Sequence, residues 1–86
     1  MTFTLIILQR NEIEALKVVA HRINKIWVDE ILVIDGNSTD GSIEYMESLG
    51  FNVIRQKGKG AMAGYREGLE RAKGNVIIMF TPDGNC

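Results

Sequence analysis

The chain has 86 residues, ten Lys or Arg against eleven Asp or Glu, a net charge of −1 and a 45% share of hydrophobic residues. That is the composition of one ordinary globular domain, and its interspersed charges leave no basic stripe for nucleic acid or an anionic membrane. The single cysteine, Cys86, rules out an internal disulfide framework or a cysteine-based zinc site and points to a reducing, cytoplasmic setting, either free or at the cytoplasmic face of a membrane.

Phe3 to Leu8 (FTLIIL) is an almost unbroken apolar run, the pattern of a strand covered on both faces. It is too short to span a bilayer, and it lacks the flanks of a signal peptide, so no transmembrane segment is expected. From Glu12 to Trp27, Ile13, Leu16, Val19, Ala20, Ile23 and Trp27 recur at spacings of three and four, which predicts a helix with Asn11 as its N-cap. Ile31 to Ile34 repeats the strand pattern. A second helix is expected to start within Ser38-Thr39-Asp40, whose side-chain oxygens can accept first-turn N–H groups. It would turn Ile43, Met46 and Leu49 inward and end at Gly50. Phe51 to Arg55 reads as a third strand. Met62, Tyr65, Leu69 and Ala72 predict the buried stripe of a third helix closing at Lys73-Gly74, and Asn75 to Phe80 a fourth strand.

Strand and helix alternate throughout, which predicts parallel strands joined by right-handed crossovers, an α/β fold of three layers. Ligands of such sheets bind beyond the carboxyl ends of the strands. All four exits here are polar or glycine-rich: Gln9 to Glu12, Asp35 to Gly41, Lys57 to Gly60, and Thr81 to Asn85. Asp35, at the end of a buried strand, suits a carboxylate that accepts a hydrogen bond from a nucleobase imide or a ribose hydroxyl; alternatively it and Asn37 form an Asx-turn into a capped helix. Asp83, with Asn85 as a carbonyl ligand, suits Mg2+ or Mn2+ on a diphosphate, although Pro-Asp-Gly is also a plain turn. His21 falls within the first helix, where an exposed imidazole is the expected reading and a catalytic one is not. Gly58 to Ala63 satisfies G-x-G-x-x-G/A, but Gln56 and Lys57 separate it from its strand and the unit is third in order, so a dinucleotide-binding module stays the weaker reading. Lys57 and Lys59 either flank a diphosphate or are solvated.

Taken together, "RNE" after the first strand, "DEILVIDGNSTDGS" at the second and "KGKGAMAGYREGLERAKGNVIIMFTPDG" at the third and fourth resemble the nucleotide-sugar-binding half of family 2 inverting glycosyltransferases. These GT-A fold enzymes include the polyprenyl-phosphate sugar synthases. The resemblance covers essentially the whole chain. It implies a Rossmann-like sheet in the order 3-2-1-4, truncated, with residues 1–86 an incomplete donor-binding portion whose missing half or a partner chain covers the fourth strand. It further implies a nucleoside diphosphate sugar of the UDP or GDP type, and an acceptor hydroxyl or lipid phosphate. Glu12 and the neighbouring backbone at Leu8 and Arg10 would then meet base and ribose, Ile34 and Asp35 would hold the base, Asn37, Thr81 and Pro82 would belong to the nucleotide site, and Asp83 with Asn85 would hold the cation. The chain departs from the family at Leu8, usually proline, and at Thr81, where the metal motif has its first acid; a hydroxyl adds no negative charge, so weaker metal binding is expected there. No general base is visible, and the chain alone is expected to be inactive. The competing class is a non-catalytic α/β binding or interaction module.

Overall fold

The computed structural model describes residues 1–23 and 28–81. In chain order these form β1 (Phe3–Gln9), α1 (Ile13–Val19), a 3-10 turn (Ala20–Arg22), β2 (Glu30–Asp35), α2 (Ser42–Ser48), β3 (Val53–Arg55), α3 (Ala61–Arg71) and β4 (Val76–Phe80). The strands make one parallel sheet, as the strand and helix alternation predicts, in the order β3-β2-β1-β4 that the resemblance implies. β1 and β2 are central, in register from Thr4 opposite Glu30 to Gln9 opposite Asp35. Two polar residues therefore finish side by side at the carboxyl edge. Among the described residues, no helix is long and apolar enough to cross a membrane.

Successive strand residues face opposite sides of a sheet, and this divides the core. Ile7 and Val33 pack with Leu16 and Ala20 from the α1 segment and with Met46 and Phe51 at α2, whereas Ile6, Leu32 and Ile34 form the cluster on the other face. α3 lies on that second face, and its buried residues are Gly64 and Gly68. The apolar stripe expected on this helix is thus corrected: Met62 is 71% and Leu69 40% exposed, and Tyr65 and Ala72 are only partly buried. The reason is steric. A Cβ at Gly68 would stand 3.0 Å from Ile6 Cγ2, and one at Gly64 would stand 3.3 Å from Leu8 Cδ2. The helix backbone approaches strands whose own side chains fill the interlayer space, so burial falls on residues that have no side chain.

The two helices on the first face also start differently from expectation. α1 stops at Val19 and tightens into the 3-10 turn, while the remainder of the expected helix, residues 24–27, lies outside the described residues. Asn11 does not cap it. It takes a left-handed φ of 49°, and its Oδ1 accepts the N–H of Thr39 at 2.8 Å. The leading N–H groups of α1 are instead accepted from the neighbouring strand exit: Asn11 N–H by Ser38 Oγ at 2.8 Å, Glu12 N–H by Ser42 Oγ at 3.1 Å and Ile13 N–H by Asp40 Oδ2 at 3.0 Å. Those are the orphan donors that any helix start must satisfy. α2 itself begins at Ser42, after Gly41 at φ 96°. Asp40 Oδ1 accepts the N–H and Oγ–H of Ser42 at 3.0 and 2.6 Å, so one carboxylate serves both helices. Gly50, at φ 88°, closes α2 by donating to Glu47 O at 3.0 Å, the expected C-terminal glycine.

Desolvation pushes the Asp40 carboxyl up, but the bonds from the Ser42 hydroxyl and from the Ile13 and Ser42 N–H groups outweigh it and hold the group below its ordinary 3.8. A depressed carboxyl pKa contributes stability above the unfolded value and loses it as pH falls through the folded one. Asp40→Ala is expected to cost about 1 kcal/mol, as loss of a helix cap does, and to flatten the acid limb of stability below pH 4, read by urea unfolding across pH. For the opposite face, Gly68→Leu is expected to lower stability by about 1–3 kcal/mol through overpacking. Leu69→Gln, one residue on, should stay within about 0.5 kcal/mol. Thermal unfolding of the two variants distinguishes a glycine-faced α3 from the apolar-striped one.

Candidate functional site

At the carboxyl edge of the sheet the four strand exits open on one cavity of about 560 Å3, within the range that holds a small-molecule ligand. β1 contributes Leu8 and Gln9, and the turn after it Arg10 and Glu12; the β2 exit contributes Gly36 and Asn37. Gln56, Gly58, Lys59, Gly60 and Ala61 form the wall after β3, and Thr81 represents β4. Arg10 lies across the turn of β2, with its side-chain carbons 3.3–3.5 Å from where a Cβ of Gly36 would be; a larger residue at 36 would displace it. Among the described residues, neither Arg10 nor Lys59 forms an ion pair, so two exposed cations border the opening.

The floor between β1 and β2 is a closed polar network. Asp35 is fully buried, with Oδ1 accepting from Gln9 Nε2 at 2.9 Å and Ser38 Oγ at 2.7 Å, and Oδ2 accepting from Ser38 N–H at 2.7 Å. Its backbone oxygen accepts Gln56 N–H at 2.8 Å, and Gly36 N–H is accepted by Gln9 O at 2.8 Å. A carboxylate taken out of water is tolerable only when its lone pairs are met in this way. The bond from Ser38 N–H is a local side-chain turn; the bond from Gln9 comes from the neighbouring strand.

The third wall is braced from two sides. Glu67, just past the middle of α3, accepts the N–H of Lys57 at 2.8 and 3.0 Å and of Gly58 at 2.9 Å. Gln56 Nε2 donates to Gly58 O at 2.8 Å and Gly60 O at 3.0 Å. Backbone N–H bonds from Gly58 and then Lys57 hold the Glu67 carboxyl below its ordinary 4.5. The loop reaches α3 through Gly60 at φ 88°, with residues 56–60 intervening after an outer strand. It is therefore neither the tight turn nor the central strand that a dinucleotide fingerprint requires.

Of the residues singled out from the sequence, Leu8, Arg10, Glu12, Asn37 and Thr81 share the cavity wall. Ile34 and Asp35 are fully buried and do not line it. Pro82, Asp83 and Asn85 lie outside the described residues. His21 is exposed in the 3-10 turn and apart from the cavity. Sequence reasoning passed over Gln9 and Gln56 as ligand-facing groups, although each sits at the junction of strand and exit, the position that brought Asp35 to attention. Among the described residues, no cluster of three acidic, histidine or cysteine side chains could hold a metal, and Glu12 is the one carboxylate on the described wall. Those donors alone do not fit a divalent cation, which takes carboxylates together with phosphate oxygens.

Comparison with known proteins agrees with this geometry. A curated relative, glycosyltransferase AglJ of Haloferax volcanii, is 40% identical over 55 residues, covering 63% of this chain and 18% of its own. Among solved structures, residues 1–349 of S. aureus TarS superpose with a TM-score of 0.79 at 18% identity over 96% of this chain and 28% of that one, a likeness of fold. The chain thus spans less than a third of either protein. The family model described as "Glycosyl transferase family 2" matches residues 4–86, and the chain belongs to that family.

Proposed function

We propose that the chain binds the donor of a sugar transfer, a nucleoside diphosphate sugar of the UDP or GDP type, and that the sugar passes to an acceptor hydroxyl or lipid phosphate. The observation that carries this reading is the convergence of all four strand exits on one cavity bordered by two cations that form no ion pair among the described residues. Base and ribose lie against the β1 and β2 exits, where Leu8, Arg10, Glu12 and Asn37 offer an apolar contact, a planar cation and polar acceptors. The diphosphate lies toward Lys59 on the third wall. Thr81, with Pro82 beyond it, closes the nucleotide site. A Mg2+ or Mn2+ ion held by Asp83 and Asn85 would offset diphosphate charge as it departs. Arg10 and Lys59 at the cavity border add positive charge of their own, so binding depends less on metal than a two-aspartate site would. Transfer itself requires an acceptor and a base, and the 86 residues alone bind without turnover.

Calorimetric titration of the folded chain with UDP and GDP tests this. Binding is expected, strengthened by Mn2+, weakened by salt, and reduced about fivefold, near 1 kcal/mol, in Arg10→Ala and in Lys59→Ala. Silence with every nucleotide would favour the non-catalytic module. Measured sugar transfer by the 86-residue chain would refute the claim of binding without turnover.

The brace on the third wall adds a pH-dependent component. Because the Glu67 carboxyl is depressed, its hold on the loop is complete above the ordinary value and is lost as pH falls through the lower folded one. Glu67→Gln is expected to broaden the amide resonances of Lys57 and Gly58 at neutral pH and to weaken nucleotide binding, while the unfolding temperature stays nearly constant. An unbroadened loop in that variant would show that the carboxylate is dispensable.

A further inference from the structure

The closed network beneath the cavity leaves one atom over. Gln9 is 4% exposed and stands on the cavity wall. Its Nε2 donates to Asp35 Oδ1 at 2.9 Å, and that bond fixes which way round the amide lies. Turned by half a revolution, Oε1 would oppose a carboxylate oxygen, acceptor against acceptor. Gln9 Oε1 is buried with no hydrogen-bond partner, a state that native proteins rarely leave unanswered. Asp35 has its carboxylate bonded by three donors, is fully buried and does not line the cavity.

We infer that Gln9 Oε1 is the acceptor that reads the base, and that Asp35 is a positioning residue acting through it. This rests on the donor-binding reading above. An acceptor held in one orientation selects a ring N–H: uracil N3–H and guanine N1–H supply one, whereas cytosine and adenine present a bare ring nitrogen at the same edge. The ligand class is therefore a nucleoside diphosphate with a lactam-type base. Because Oε1 is buried and unpartnered, a base with a bare ring nitrogen at that point sets acceptor against acceptor, and such mismatches discriminate more sharply than a missing apolar contact.

The test is a titration of the 15N-labelled 86-residue chain with UDP, GDP, CDP and ADP to millimolar concentration, followed by NMR. UDP and GDP are expected to bind at least tenfold more tightly than CDP and ADP and to shift the Gln9 side-chain NH2 pair. Gln9→Leu, with a dispersed spectrum, should lose that discrimination. Asp35→Asn supplies an amide donor where Oδ1 stood, so the Gln9 amide can turn over and offer N–H to the cavity; the UDP-to-CDP ratio should fall at least tenfold or invert. A purely structural Asp35 would change stability without moving that ratio. Equal binding of all four nucleotides overturns the inference and leaves the donor site standing, as does an unchanged ratio in either folded variant. If Gln9→Leu does not fold, the ratio in Asp35→Asn decides. Absence of binding by the folded parent chain overturns both readings.

Discussion

The structure depends on a polar interlock between the exits of its two central strands. Ser38, Asp40 and Ser42 from the β2 side accept the first N–H groups of α1, and Asn11 from the β1 side accepts Thr39 N–H. Each exit therefore lacks its hydrogen-bond partners unless the other is in place. Below them, Asp35 draws on Gln9 from the adjacent strand and on Ser38 from its own loop. A buried carboxylate with one donor removed is strongly destabilising, because desolvation remains while compensation is lost. The network consequently acts as a register check: sliding β1 against β2 by one residue would part Gln9 from Asp35 and strand the charge.

The cavity inherits different mechanics on its two sides. Arg10, Glu12, Gly36 and Asn37 stand on the interlocked side, held by side-chain bonds that cross between strands. The opposite side is a glycine-bearing loop, tied to α3 through Glu67 and to itself through Gln56. Those ties end on exposed or half-buried groups, which solvent can replace at little cost, so local opening concentrates there. On the donor-binding reading, a firmly held wall beside a looser one suits a ligand with a flat, patterned end and a flexible, charged end. Orientation needs fixed geometry, whereas attraction to phosphate tolerates adjustment.

Most of the architecture is legible in the sequence because the two central strands are apolar on both faces, a signal that survives without knowledge of the partner. The parallel sheet and the polar exits follow from that signal and from the handedness of crossovers, whereas the strand order comes with the family resemblance. What escapes is long-range. Asn11 is a reasonable N-cap by local chemistry, yet the donors of α1 are met by residues about 27 positions away, and no local rule chooses between the two. α3 misleads for a different reason: hydrophobic periodicity counts side chains, while this helix is buried through Gly64 and Gly68, whose placement is fixed by the bulk of Ile6, Ile34 and Leu8 opposite. Within the site, acidic residues drew attention because charge at a strand end is conspicuous. A glutamine there is equally well placed and chemically quieter, and only the coordinates show that it stands between the acid and the cavity.

The distribution of exposed apolar side chains completes the account of how the site is built. β4 pairs with β1 alone among the described strands, and its consecutive residues Ile78 and Met79 are 42% and 37% exposed. Adjacent strand residues face opposite sides, so both layers thin out toward this edge, and from the described part of β4 onward only Thr81 reaches the cavity wall. On the donor-binding reading, base and ribose are enclosed by exits tied to one another, while the β4 exit, at the least covered edge, reaches the nucleotide site through Thr81. Recognition of the base on that reading rests on the β1 and β2 interlock, away from the exposed side chains of β4. Changes at Ile78 and Met79 should accordingly have little effect on which base is read.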